Sequence, residues 1–202
     1  MATESTAAAR AAGVSVRAIL ALFTVALAAF ACDQITKYFV VENLTLGEPV
    51  PVLGNVLDFV FVKNPGAAFS LASGATWIFS IAASVVTVLI IVFARRIRSL
   101  SWAILFGMLL GGTLGNLTDR LLREPSFGLG HVIDFIRVAG FPAVFNIADS
   151  FIVASMGLFI ILTIRGVGLD GQREQKLATT DSGPATPGHP APADPTPDAT
   201  ER

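Results

Sequence analysis

Four long apolar runs limit what this chain can fold into more than any other feature of its sequence. They cover residues 18–39, 76–94, 100–117 and 147–164. Each is long enough to cross the hydrocarbon core of a bilayer as a helix. Charged residues make up only 14% of the chain, whereas soluble domains carry about 25%. The sequence therefore predicts an all-α polytopic membrane protein with four transmembrane helices.

The first apolar run permits a second interpretation. Arg17, a short apolar core and the Ala-Phe-Ala at residues 29–31 are typical of a cleavable signal peptide, and Cys32 would then suit lipid modification. Three further spans downstream favour a permanent first transmembrane helix instead, and we expect it to extend to about Phe39.

The distribution of basic residues predicts the orientation of the four spans. Most of the arginines near span ends fall on one side, among them Arg95, Arg96, Arg98 and Arg165. By the positive-inside rule that side is cytoplasmic. Both termini are therefore predicted to lie in the cytoplasm.

Under this orientation the unusual polar residues all fall on the outer side of the membrane. They are Asp33, Asn64, Asn116, Asp119, Arg120, Asp134, Asn146 and Asp149. A transporter is expected to place such groups nearer the midplane of the bilayer. Clustering at one face indicates a substrate that is met at the membrane–water boundary.

The composition divides the chain into three parts. Residues 1–16 are predicted to be a cytoplasmic N-terminal segment, and residues 17–165 one four-helix domain. Within that domain, residues 50–62 are rich in β-branched and aromatic side chains around a Gly-Asn turn, which predicts a small β-hairpin or sheet. Residues 166–202 are rich in Pro, Ala, Thr, Asp and Gly, so we expect a disordered cytoplasmic tail.

A row of small residues marks one face of the third span. Gly107, Gly111 and Gly115 recur every fourth residue, and Asp119 continues the row. Small residues at this spacing let a second transmembrane helix approach closely. The glycines are interpreted as packing residues, whereas Asn116, Asp119 and Arg120 call for a functional explanation.

Two carboxylates, Asp134 and Asp149, flank a short apolar link, and Asp149 lies just inside the fourth span. An ionisable residue at a membrane span is costly, and its default interpretation is functional. If both face one cavity they cannot easily ionise together, so one proton would be shared. The ionised partner can then draw a proton from water while the protonated one donates to a peptide carbonyl, as in aspartic proteases.

Each carboxylate also has a structural explanation. Asn146 and Asp149 have the spacing of a helix N-cap and its N3 acid, so Asp149 could simply complete a capping box. Asp134 could form a salt bridge to Arg137 or Arg120. The sequence leaves both alternatives open.

Other chemistries lack their motifs. The chain contains no G-x-S-x-G elbow, no H-E-x-x-H and no G-K-[ST] phosphate loop. One cysteine and two histidines leave little from which to build a zinc site. A net charge of −1 gives no bulk attraction for nucleic acid. Two rival classes remain, a small proton-coupled carrier that uses the acids as a relay and a purely structural membrane subunit.

Five motifs in order resemble those of the lipoprotein signal peptidases (signal peptidase II), bacterial membrane aspartic peptidases with four spans. The motifs are DQITK at 33–37, NPGAAF at 64–69, GGTLGNLTDR at 111–120, VIDF at 132–135 and FNIAD at 145–149. The resemblance covers about residues 17–165, and the extension beyond Gly166 departs from the short-tailed members.

The resemblance implies that Asp134 and Asp149 are the catalytic dyad. It implies a supporting or substrate-binding role for Asp33, Lys37, Asn64, Asn116, Asp119, Arg120 and Asn146. The substrate would be a diacylglyceryl-modified prolipoprotein, cut before its lipidated cysteine at the outer face of the bacterial cytoplasmic membrane. Residues 42–75 would form an extracytoplasmic β-cradle over the site. We expect a monomer in contact with membrane lipid, without a metal or cofactor.

Overall fold

The computed structural model describes residues 15–66 and 76–172. Within them, four helices are long and apolar enough to cross a membrane. In chain order they are α1 (Val16–Asn43), α2 (Thr76–Phe93), α3 (Leu100–Leu122) and α4 (Ile147–Ile164), with a short 3-10 helix (Ala94–Arg96) after α2. The predicted four-helix fold is confirmed.

A small antiparallel sheet accompanies the helices. Its strands, which are hydrogen-bonded in chain order, are β1 (Pro49–Leu53), β2 (Leu57–Asn64), β3 (Val132–Val138) and β4 (Val144–Phe145). The hairpin predicted within residues 50–62 is present as β1 and β2. The other two strands lie between the third and fourth spans, within residues 121–145, which the sequence predicts to be an external loop. The β3 strand pairs with β2, which lies far away in sequence, and β4 pairs with β3.

Two helices extend beyond their predicted ends. The α1 helix continues to Asn43 rather than to about Phe39, and α3 ends at Leu122 rather than near Leu117. Hydropathy marks where apolar side chains stop, but the backbone stays helical where polar side chains find partners. Asp119 near the end of α3 has such a partner in Lys37 of α1.

The glycine row of α3 packs against α1 as predicted. A Cβ at Gly107 would lie 2.7 Å from the carbonyl oxygen of Leu22, and one at Gly111 would collide with that of Ala26. Only residues without a side chain allow this close approach. Since these contacts advance together along both helices, α1 and α3 run parallel.

The helices define two ends of the bundle. Gly112 faces Ala148 at the start of α4, whereas Trp102 near the start of α3 packs against Phe159 near the end of α4. The α4 helix is therefore antiparallel to α3. We call the end of the bundle where α1 and α3 finish the site end. The sheet joins the helices at this end, where Ile133 of β3 packs in one cluster with Val40 of α1.

Several predictions concern residues outside the described ranges. They are most of the N-terminal segment 1–16, residues 67–75 of the expected cradle and residues 173–202 of the tail. Residues 166–172, which were included in the predicted disordered tail, instead follow a defined path. The backbone N–H groups of Arg98 and Ser99 both donate to the carbonyl oxygen of Leu169 at 3.0 Å.

Candidate active site

The start of α4 forms the capping box that its sequence suggested. The Asn146 side chain accepts from the backbone N–H of Asp149 at 2.9 Å, and the Asp149 carboxylate accepts from the backbone N–H of Asn146 at 3.2 Å. The cap uses only Oδ2 of Asp149. Its Oδ1 accepts a hydrogen bond of 2.8 Å from Asn116 Nδ2 on α3. Asp149 is half-buried, so capping accounts for only part of its surroundings.

Asp134 lies in the middle of β3 and is 2% exposed. Strand alternation directs its neighbours Ile133 and Phe135 to one face of the sheet and Asp134 to the other. Both carboxylate oxygens are bound by amides, Oδ2 by Asn64 at 2.7 Å and Oδ1 by Asn146 at 2.6 Å. Neutral donors, rather than a cation, thus hold this buried acid.

The alternative salt bridge of Asp134 does not form within the described residues. Arg137 instead binds Asp58 of β2, with 2.6 Å between Nη2 and Oδ2. Arg120 makes no ion pair in the described part of the chain. Its guanidinium lies over the ring of Phe79, 5.3 Å from the centroid, and its buried Nη1 has no hydrogen-bond partner among the described residues.

Burial raises the pKa of Asp134 from its ordinary 3.8 to about 6. Removal of the carboxylate from water is the largest cause, because the charged form loses its hydration. The hydrogen bond from Asn64 opposes that change, while the nearby Asp149 carboxylate adds to it. A carboxyl with such a pKa can exchange its proton near neutral pH, which acid/base chemistry requires.

Asn146 joins the two carboxylates. Its side-chain amide donates to Asp134 and its backbone N–H donates to Asp149. The Asn146 amide also donates to Asn116 Oδ1 at 3.0 Å, and Asn116 in turn donates to Asp149. Asp134 and Asp149 are therefore connected through Asn116 and Asn146.

A second cluster lies beside this one, centred on the buried Lys37 of α1. Its Nζ is 2.8 Å from Asp33 Oδ2, 2.7 Å from Asp119 Oδ2 and 3.0 Å from Asn116 Oδ1. Lys37, Asp33 and Asp119 are all 0% exposed. The contact with Lys37 also fixes which way the Asn116 amide points, because Lys37 can only donate. The Asn116 NH₂ group is left to face Asp149.

Asp33 links this cluster to α4. Its Oδ1 accepts from the backbone N–H of Ala148 at 2.9 Å, one of the first-turn donors that a helix cannot satisfy itself. Its Oδ2 would be 2.5 Å from a Cβ at Gly115, so the last glycine of the row makes room for a carboxylate. The contact joins residues that are 115 positions apart.

Asn64 has its amide oriented in the same manner as Asn116. The backbone N–H of Gly66 donates to Asn64 Oδ1 at 2.8 Å, which turns the NH₂ group toward Asp134. Gly66 has a φ of +104°, and a Cβ there would lie 2.8 Å from the Phe79 ring. The glycine therefore allows the loop after β2 to approach α2 and Arg120.

All nine candidate site residues lie at the site end, and two neighbours that the sequence did not single out join them. Gln34 donates to Asp33 at 3.0 Å and to the Gly115 carbonyl at 3.1 Å. Arg123 pairs with Asp119, with 2.6 Å between Nε and Oδ1. The i,i+4 spacing from Asp119 could have indicated Arg123. Gln34 lies inside the DQITK motif, but no local pattern assigns it a partner.

The model of the family described as signal peptidase (SPase) II matches residues 25–165. The chain belongs to the signal peptidase II family. This membership, with the four spanning helices, makes it a multi-pass protein embedded in a membrane.

Curated relatives in the signal peptidase II family match most of the chain. The lipoprotein signal peptidase of Leifsonia xyli is 57% identical over 173 residues, 85% of this chain and 80% of that protein. Those of Streptomyces griseus and Rhodococcus jostii are 47% and 43% identical, over 79% and 77% of this chain and 81% and 78% of their own lengths.

Two solved structures of a bacterial membrane enzyme have a similar fold. The one determined at 2.3 Å resolution has a TM-score of 0.66 and 27% identity, and it covers 81% of this chain and 98% of its own. The one at 1.9 Å has a TM-score of 0.64 and 28% identity, over 76% and 97%. The likeness thus extends over almost the whole of each solved chain.

Proposed function

We propose that this protein is an intramembrane aspartic endopeptidase that removes the signal peptide from lipid-modified prolipoproteins. Membership of the signal peptidase II family supports a peptidase, and the curated relatives are named lipoprotein signal peptidases. In this proposal Asp134 and Asp149 form the catalytic dyad. The substrate is a diacylglyceryl-modified prolipoprotein, and the bond cut is the one before its lipidated cysteine.

One observation carries the assignment of the dyad: Asn146 contacts both carboxylates, at 2.6 Å from Asp134 and 3.2 Å from Asp149. Two acids around one amide repel each other when both are ionised, so the pair is expected to retain one proton. The pKa of about 6 for Asp134 supports proton exchange at physiological pH.

The shared proton allows hydrolysis without a covalent intermediate. The ionised carboxylate takes a proton from water, whose oxygen attacks the scissile carbonyl carbon. The protonated carboxyl gives its proton to the carbonyl oxygen. The C–N bond of the resulting gem-diol then breaks. The leaving nitrogen receives the proton taken from water, and the second carboxyl recovers its proton from a gem-diol hydroxyl.

The other candidate residues are proposed to hold this dyad in place. Asn64, Asn116 and Asn146 orient the two carboxylates through their amides. Asp33, Lys37 and Asp119 stabilise the helix ends that carry those amides. Arg120 lies beside them, and its Nη1, which binds no other described residue, would donate to the substrate. No step in this proposal requires a metal or cofactor.

We further propose that the site faces the outside of the bacterial cytoplasmic membrane. The arginines at the opposite end of the bundle favour the cytoplasmic side, which would place both termini there and the sheet outside. A substrate whose diacylglyceryl group stays in the bilayer gives a reason for the dyad to lie at a helix end. We take residues 17–165 as the peptidase domain of a monomer.

The decisive experiment follows release of the signal peptide from a purified lipidated precursor. Asp134→Asn and Asp149→Asn should each lower the rate by at least about 10²–10⁴-fold while the protein still elutes as a folded species. Asp58→Asn is the matched control, because Asp58 is a sheet carboxylate that binds Arg137 away from the dyad. Full activity in either dyad variant would sink the proposal. Proton-coupled flux into sealed vesicles without peptide release would favour a carrier.

A further inference from the structure

Three arginines lie together at the end of the bundle opposite the candidate active site. Arg95 and Arg96 belong to the 3-10 helix after α2, and Arg98 precedes α3 by two residues. Within residues 15–66 and 76–172, none of the three forms an ion pair. The Arg96 guanidinium lies 5.0 Å from the centroid of the Phe93 ring. These cations are therefore available to an external anion.

The three side chains line a cavity of about 600 Å³, which we call the arginine cavity. Its other wall is the segment 168–172, which the hydrogen bonds from Arg98 and Ser99 to Leu169 hold in place. Among the described lining residues Asp170 is the one acid, and its Oδ1 accepts from the backbone N–H of Gln172 at 3.0 Å. Three arginines against one aspartate leave the cavity cationic.

A second cavity of about 310 Å³ adjoins the first, and we call it the apolar groove. It is lined by Leu89 and Phe93 of α2 and by Phe106 of α3, and it shares Arg96 and Leu169 with the arginine cavity. The groove thus begins where α2 and α3 meet the membrane–water boundary and follows α2 into its spanning segment.

We propose that the arginine cavity and the apolar groove together bind one anionic phospholipid. The phosphodiester would lie among the three guanidinium groups, which match phosphate oxygens with paired N–H donors. One acyl chain would follow the groove. Basic pockets between transmembrane helices are suited to acidic head groups, and both volumes fall near the range of about 300–1,000 Å³ typical of ligand sites. The positive-inside rule alone would account for arginines at this end of the bundle, but it would not account for the apolar groove beside them.

The test is native mass spectrometry of the full chain released from detergent, with phosphatidylglycerol or phosphatidylcholine as the added lipid. We expect phosphatidylglycerol to bind more tightly. The double variant Arg96→Gln/Arg98→Gln should weaken its binding about 25-fold, at about fivefold for each cation removed. The control Arg17→Gln/Arg165→Gln removes two arginines from the same membrane side outside the cavity, and should change it by less than about twofold. Equal losses in both variants, or equal binding of both lipids, would overturn the proposal.

A second pair of variants tests the groove. Leu89→Gln places an amide in the apolar lining, and Val88→Gln places one on an exposed position of the same helix outside it. We expect weaker phosphatidylglycerol binding with Leu89→Gln only. Competition with the water-soluble head group glycerophosphoglycerol separates a lipid from a free phosphate ester. Competition as effective as that of the intact lipid, or equal effects of the two glutamines, would show that no acyl chain occupies the groove.

Discussion

Two pairs of carboxylates lie side by side at the site end, and they are held in different ways. Asp33 and Asp119 are bound by a cation, at 2.8 and 2.7 Å from Lys37 Nζ. In the described part of the chain, Asp134 and Asp149 accept hydrogen bonds only from amides and backbone N–H groups. Three of the four carboxylates, those of Asp33, Asp119 and Asp134, are almost fully buried, and that of Asp149 is half-buried.

The difference indicates which acids remain free to exchange protons. A buried carboxylate that contacts a cation is stabilised in its charged form, and loss of the cation leaves an uncompensated charge. A buried carboxylate with neutral donors has no such constraint, so its proton can move. Asn116 joins the two pairs, since its Oδ1 faces Lys37 while its Nδ2 faces Asp149. The cation-bound pair can therefore orient the amide-bound pair without taking part in the chemistry.

The largest expected effect is a loss of stability when the cation of Lys37 is removed. Lys37→Met should lower the stability of the protein by about 3–5 kcal/mol, because Asp33 would be left buried without a cation and Asp119 would keep only its ion pair with Arg123. Thermal unfolding in detergent measures this loss. Asp134→Asn is the matched comparison, since it removes a buried charge that has no cation partner. It should cost less, about 1–3 kcal/mol, because the new NH₂ group faces one of the amide donors that now bind Asp134. Similar losses in both variants would mean that the two pairs do not differ.

The next effect tests how α4 is held by the cation-bound pair. Gly115→Ala brings a Cβ to 2.5 Å from Asp33 Oδ2 and 3.2 Å from the Ala148 Cβ. We expect a loss of about 1–3 kcal/mol from overpacking, together with slower cleavage as α4 shifts. Gly157→Ala is the control, because a Cβ at that helical glycine meets nothing within 4 Å. Its stability should stay the same or rise by up to about 1 kcal/mol, because alanine favours a helix more than glycine does. Equal behaviour of the two variants would refute close packing at Gly115.

Length and hydropathy predicted all four spans, and the Asn146–Asp149 spacing predicted the capping box. These features are local, because they depend on residues within one helix. The glycine row of α3 likewise predicted a close helix contact, although not which helix would supply it. The sequence could therefore directly predict the secondary-structure elements and the faces that they bury.

The contacts between elements could not be predicted in this way. Asp33 binds the Ala148 N–H across 115 positions, and β3 pairs with β2 with Asp134 opposite Val62. Strand pairing at this distance depends on tertiary context, so the sequence predicts only an external loop for residues 121–145. The same limit applied to Arg137, which was a candidate partner of Asp134 by proximity in sequence but binds Asp58.

A smaller effect follows from the pKa of Asp134. The Asn64 amide stabilises the charged carboxylate, so its removal should raise the pKa of Asp134 above its present value of about 6. In Asn64→Leu, the limb of the pH–rate profile that reports Asp134 should therefore move to higher pH, by up to about one pH unit. Asn43→Leu is the control, because that amide donates to the Phe39 carbonyl near the end of α1. A limb that stays in place or moves to lower pH would contradict the assignment.

The smallest expected effect comes from the ion pair nearest in sequence to the dyad. Arg137 and Asp58 are 2.6 Å apart, but their side chains are 43% and 23% exposed. Water and salt screen such a pair, so Arg137→Gln should cost no more than about 1 kcal/mol. The pH–rate profile should also stay unchanged, because Arg137 does not contact Asp134. If this variant moved the profile as far as Asn64→Leu does, a cation would be acting on Asp134. Asp134 would then not belong to the amide-bound pair, and the distinction between the two pairs of carboxylates would fail.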